Sequence, residues 1–121
     1  IVNVSAEGTA TAHMQVLPQY VNGFGKMHGV MYVALVDVIG TLAIIAGQDV
    51  KQMQPGVSTD INISFFFGAD LDQTIVAEAK TLKYGKSVSF VEVEMKEQKT
   101  GRLLAKGRMT KAMTNPLQSK M

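Results

Sequence analysis

Asp37 is the one charged side chain in the apolar run from Gly29 to Ala46. Taking a carboxylate out of water is costly unless it is paired or hydrogen-bonded. An acid in such a run needs a reason, and chemistry is one. Just upstream, Asn22-Gly-Phe-Gly-Lys-Met-His28-Gly29 sets glycines where a loop would deliver backbone N–H groups at a helix start. A helix N-terminus carries partial positive charge, so the Gly29 N–H can receive a developing oxyanion. Asp37 can take a proton from water or attack directly. Acid and donors together point to catalysis on a carbonyl. Eight residues along a helix rise about 12 Å, whereas both groups must come within about 3 Å of one reacting centre. If both act, the second comes from another subunit.

Length and composition bound the elements that hold these groups. The chain has 121 residues, which predicts one domain, 1–121, with one core. It is 46% apolar and 18% charged with a net charge of +2, a balance that argues against a dedicated nucleic-acid binder. It has no cysteine, so thiol nucleophiles, disulfides and cysteine-ligated zinc are excluded. Two histidines, His13 and His28, leave little scope for a histidine-rich metal site, and His13 is read as structural. The chain opens Ile1-Val2-Asn3, which is read as a trimmed start that leaves targeting illegible. Gly29 to Ala46 reaches the lower edge of a membrane-spanning length. Asp37 at its middle and the absence of a basic flank favour instead the central helix of a soluble fold, covered on most sides.

From Gly56 the pattern turns to alternation. Val57, Thr59, Ile61, Ile63 and Phe65 are placed on one strand face, and Ser58, Asp60, Asn62 and Ser64 on the other. Further strands are predicted over 74–82, 87–96 and 102–112, with turn residues at Gly68 to Asp70, Tyr84 to Lys86 and Lys99 to Gly101. Upstream, 8–17 reads as another strand. The tail 113–121, with Pro116, is expected to fray. Strand, long helix, then four strands predicts an α+β fold: an antiparallel sheet curled around one helix.

These residues resemble the hotdog-fold acyl-CoA thioesterases. The resemblance rests on Asn22-x5-His28-Gly29-x7-Asp37 and Pro55-Gly-Val-Ser58-Thr-Asp60-Ile-Asn62-Ile. It continues through Leu82-Lys83-Tyr84-Gly85-Lys86-Ser87 and Thr100-Gly-Arg-Leu-Leu-Ala-Lys-Gly-Arg108-Met-Thr-Lys111, covering 8–112. It implies a hotdog fold, an antiparallel sheet wrapped around a long central helix. It also implies hydrolysis of acyl-CoA to a free acid and coenzyme A, in fatty acid metabolism, with no metal or redox cofactor. Asn22, His28 and Gly29 would hold and polarise the thioester from one subunit. Asp37 and Ser58 of the partner would supply the base or nucleophile and an orienting hydroxyl. Asp60 and Phe65 would line the substrate path, and Lys83, Tyr84, Gly85, Lys86, Ser87 and Val88 would grip the coenzyme A portion. A homodimer is the implied active unit, assembling as a homotetramer without nucleic acid or a membrane span, in cytoplasm or mitochondria. The chain departs from the family's His-Gly-Gly at His28-Gly29-Val30, lacks its N-terminal helix, and has a longer segment from Gln48 to Gln54.

Each assignment has a plainer competitor. Asp37 can be a buried structural acid. Asn22 and Gly29 can shape a turn and cap, and His28 can orient or pack. Ser58 on a polar strand face can be an ordinary hydrogen-bonded serine; no Gly-x-Ser-x-Gly elbow surrounds it. Lys80, Lys83, Lys86 and Lys111 can be solvent-facing charges, the favoured reading for Lys80 and Lys111. Phe65 to Phe67 are assigned mostly to core or interface, and the eight methionines to core filler. Two other functions stay open: a hotdog hydratase or dehydratase, and a non-catalytic acyl-CoA-binding protein, which Val30 keeps in play.

Overall fold

The apolar alternation of the strand segments and the uninterrupted apolar run between them produce two layers, a sheet and one helix lying across it. The computed structural model describes residues 2–49 and 54–113. The order is β1 (Val2–Ser5), β2 (Thr9–Gln15), a 3-10 turn (Pro18–Tyr20), α1 (Gly29–Ala46), β3 (Val57–Phe65), β4 (Thr74–Lys83), β5 (Val88–Glu97) and β6 (Leu103–Ala112). The six strands form one sheet in the order β1-β2-β4-β5-β6-β3, with every neighbouring pair antiparallel. The expected α+β architecture is what the chain adopts. Five strands fall within two residues of their predicted ends. β1 is additional, because Val-Asn-Val-Ser is too short to show a period and gains its place by pairing with β2. Residues 50–53 of the long helix-to-strand segment and 114–121 of the tail lie outside the described residues.

The core lies between α1 and the sheet. Tyr32, Leu35, Val36, Ile39, Gly40, Ala43 and Ile44 are the buried positions of α1, spaced by three and four as one helix face requires. They meet Ile75, Ala77, Val91, Val93, Met95 and Met109 from the strands. Val30, Val33 and Val38 on other faces stay exposed. A helix covered on most sides was the expectation; the protomer covers one face, because its sheet lies on one side only. The helix runs close to the sheet because Gly40 and Gly107 remove side chains from the contact. A Cβ at Gly40 would lie 2.8 Å from Met109 Cε, and one at Gly107 would lie 2.6 Å from Val36 Cγ2.

β3 is an edge strand, and its pairing with β6 slips between Ser58 and Asp60. Ser58 stands opposite Lys111 and Ile61 opposite Met109, with Thr59 as the extra residue. A bulge of this kind shifts the alternation by one and re-aims a side chain. Strict alternation placed Ser58 on the face of Asp60 and Asn62, away from Ile61 and Ile63. The bulge instead turns Ser58 towards α1, the side on which Ile61 and Ile63 pack against the core. Beyond α1, Gln48 clips the two ends of the following segment together: its amide bonds the carbonyl and N–H of Gln54 at 2.6 and 2.5 Å.

Candidate active site

Two groups of site residues form in the protomer, one at each end of the α1–β3 contact. The first is built on the acid. Asp37 is half-buried, and Ser58 Oγ donates to its Oδ1 at 2.7 Å. Ser58 Oγ in turn accepts a hydrogen bond from Lys111 Nζ at 3.0 Å and lies 3.4 Å from Met109 Sδ. Lys111 is 4% exposed, which overturns its reading as a solvent-facing charge. Strand β6 supplies the cause: from Gly107 through Met109, every second residue faces the helix, and Lys111 is next in that series. Burial pushes the Lys111 ammonium below the ordinary lysine range, and the Asp37 carboxylate pulls partly back. A lysine and a bridging serine therefore answer the question raised by an acid in an apolar run.

The second group gathers at the start of α1. His28 is the N-cap, extended at φ −58° and ψ 138°, and its side chain makes no capping bond. The His28 N–H donates to the Tyr20 carbonyl at 2.8 Å, which fixes the entry into the helix. Gly29 is the first helical residue, so its N–H has no acceptor within the helix. Asn22 closes the preceding turn: its Oδ1 accepts from the Phe24 N–H at 2.9 Å and the Lys26 N–H at 3.2 Å. The turn-shaping reading of Asn22 thus holds for the oxygen, while its Nδ2 hydrogens remain for another acceptor. The Phe65 ring lies against Gly29, 3.7 Å from where a Cβ would stand, and edge-on to Tyr32 at 5.5 Å between ring centroids.

α1 is a regular helix from Gly29 to Asp37, so about 12 Å of rise over eight residue steps separates the two. One chain does not bring the two groups to a common atom. Asp60 and Phe65, expected to share a substrate path, also stand apart. Phe65 belongs with Gly29, whereas Asp60 lines a groove of about 680 Å³ with Asn62, Leu82, Lys83, Phe90 and Arg108. Phe65, Phe66 and Phe67 are each about half exposed and so not core in the protomer; Arg102 lies 3.4 Å over the Phe67 ring.

Residues 83–88 form the β4–β5 connection at the sheet end that carries Ser58 and Lys111, since Val88 pairs with Ala112 and Ser89 with Lys111. Lys83, Tyr84, Lys86, Ser87 and Val88 are exposed. A Cβ at Gly85 would come 2.0 Å from the Val88 carbonyl oxygen, so the turn admits only glycine. Buried Ser89 accepts the Gly85 N–H at 3.2 Å, tying the turn to the strand beside Lys111. No cluster of three His, Cys, Asp or Glu side chains able to hold a metal occurs among the described residues.

Residues 24–111 match the family described as the thioesterase superfamily. The chain belongs to the thioesterase superfamily. Human acyl-coenzyme A thioesterase 13 is 37% identical over 111 residues, spanning 92% of this chain and 77% of that protein. The crystal structure of zebrafish thioesterase superfamily member 2 superposes with a TM-score of 0.87 at 35% identity, over 93% of this chain and 80% of that one. A hypothetical thioesterase from Streptococcus pneumoniae, solved with coenzyme A, shares the fold at a TM-score of 0.84 and 22% identity, covering 95% of this chain and 85% of that one. The architecture is therefore the hotdog fold, and the chain is a thioester hydrolase by family.

Proposed function

We propose that this thioesterase hydrolyses acyl-CoA, water adding to the thioester carbon and the carbon–sulfur bond breaking to give a carboxylic acid and coenzyme A. The reading is carried by one observation: Asp37 is held by Ser58 through Oδ1, which leaves Oδ2 for a proton or a carbonyl carbon. In the general-base route Asp37 takes a proton from water as the water oxygen attacks, and the departing thiolate is protonated as coenzyme A. In the nucleophilic route Asp37 attacks the thioester carbon, the thiolate leaves and is protonated as coenzyme A, and water then cleaves the resulting anhydride to release the acid and restore Asp37. Either way the carbonyl oxygen gains charge, which the Gly29 N–H at the positive helix end and the Asn22 amide would stabilise. His28 would orient this group. The reaction calls for no cofactor, since coenzyme A is part of the substrate.

The site would be completed across a homodimer, with Asn22, His28 and Gly29 of one subunit facing Asp37 and Ser58 of the other. The 12 Å helical rise supports this, as do the uncovered edge of β3 and the exposed Val30, Val33 and Val38. Lys83 to Val88 would receive the coenzyme A phosphates on lysine charge and backbone N–H groups, with Asp60 and Phe65 along the acyl path. Two dimers would meet as a tetramer, burying Leu82 and Phe90, which are 46% and 40% exposed. With a fatty acyl group as substrate, the reaction would belong to fatty acid metabolism. Release of free thiol from short, medium and long acyl-CoA tests the assignment. Turnover is expected; stoichiometric binding without thiol release would make the chain a binding protein, in line with Val30 at the helix start.

A further inference from the structure

Lys111 is a buried cation that the reaction as described does not use. A lysine ammonium carries three donors and no acceptor, so its bond to Ser58 has one polarity: Nζ–H gives and Oγ takes. The serine has a single proton left to direct. Its possible acceptors are a carboxylate oxygen at 2.7 Å and a thioether sulfur at 3.4 Å, and the charged oxygen is much the stronger. The Ser58 proton therefore points at Asp37 Oδ1. We propose that Lys111 is a positioning residue for the hydrolysis: its charge fixes the direction of the Ser58 hydroxyl, which pins Asp37 by Oδ1 and presents Oδ2 to the substrate.

The inference rests on Asp37 being the reacting acid. Its three members come from separate elements, α1, β3 and β6, and the Thr59 bulge opposite Lys111 and Thr110 brings them onto one side of the sheet. The groups that face the ammonium are few in kind. α1 contributes the Asp37 carboxylate, β3 the neutral Ser58, and β5 the buried, uncharged Ser89 in register with Lys111. Loss of the ammonium proton gives Nζ a lone pair. That lone pair competes with Asp37 Oδ1 for the Ser58 proton, so the hydroxyl is no longer held in one direction. Because burial holds the Lys111 proton less tightly than in an ordinary lysine, this change falls at a lower pH than an exposed lysine would give. The rate should drop as pH climbs through that lowered value.

The experiment is the pH dependence of kcat and KM for acyl-CoA hydrolysis by the wild type and the Lys111→Met, Lys111→Arg and Ser58→Ala variants. Lys111→Met is expected to lower kcat about 10-fold or more, the scale of a misplaced reacting group, with KM within about twofold. Lys111→Arg, always protonated, keeps more of kcat than the Met variant and moves the alkaline fall upward. Ser58→Ala abolishes that fall, since the lysine acts through the hydroxyl. Wild-type kcat in Lys111→Met overturns the proposal, and so does an alkaline fall that persists in Ser58→Ala. The second readout decides the matter even if the Met variant does not fold. A wild type without hydrolysis would instead overturn the assigned reaction, a separate outcome.

Discussion

Asp37 and Ser58 are joined by a single hydrogen bond between side chains 21 residues apart, so small changes of chemistry at either should be felt in rate. Asp37→Asn keeps the volume and removes the charge and the basic oxygen. Turnover is expected to fall by about 10²-fold or more while coenzyme A binding, measured by calorimetry, survives. Turnover equal to wild type would return Asp37 to a purely structural part. The sequence made Asp37 legible because a lone charge in an apolar run has so few explanations. It made Lys111 illegible for the opposite reason. Lysine on a strand is nearly always solvated, and that expectation outweighed the period of two from Gly107 and Met109 that puts Lys111 on the helix side.

Elements carry the next level of control. The bounds of α1 followed directly from the apolar run and its glycine-rich approach, and five strand spans from alternation and turn residues. The facing of Ser58 did not, because one extra residue at Thr59 breaks the alternation between Ser58 and the rest of β3. Nothing in Val57-Ser58-Thr59-Asp60 announces a bulge; the pairing with β6 imposes it. The approach of α1 to β6 is set by Gly107, where a Cβ would stand 2.6 Å from Val36 Cγ2. Gly107→Ala is therefore expected to destabilise the fold by roughly 1–3 kcal/mol through overpacking, read from urea unfolding. It should also lower kcat, because Asp37 follows Val36 on the helix that must lift. Full stability in that variant would mean that the helix yields without strain.

At the scale of the whole molecule, a helix with one covered face and open valines on others fits the dimer proposed above. If the site is shared, two inactive chains should restore each other. In a mixture of Asn22→Ala and Asp37→Asn subunits, each heterodimer holds one intact site and one doubly defective site. Random reassociation then recovers up to about a quarter of wild-type turnover, given the large losses each variant is expected to show alone. No recovery after proven subunit exchange would place both groups in one chain's site. Residue spacing alone raises this division as an expectation, since about 12 Å of helical rise is fixed by backbone geometry. Which surface a second copy would cover was not legible, because it depends on which of several apolar faces the sheet leaves open.

The Gln48 amide has a consequence for engineering. By bonding both the N–H and the carbonyl of Gln54, it fixes where the chain re-enters β3 whatever passes between. Lengthening a closed segment is cheap, about 0.6 kcal/mol for each doubling. A short peptide tag spliced in among residues 50–53 should leave the melting temperature nearly unchanged, whereas the same tag combined with Gln48→Ala should not.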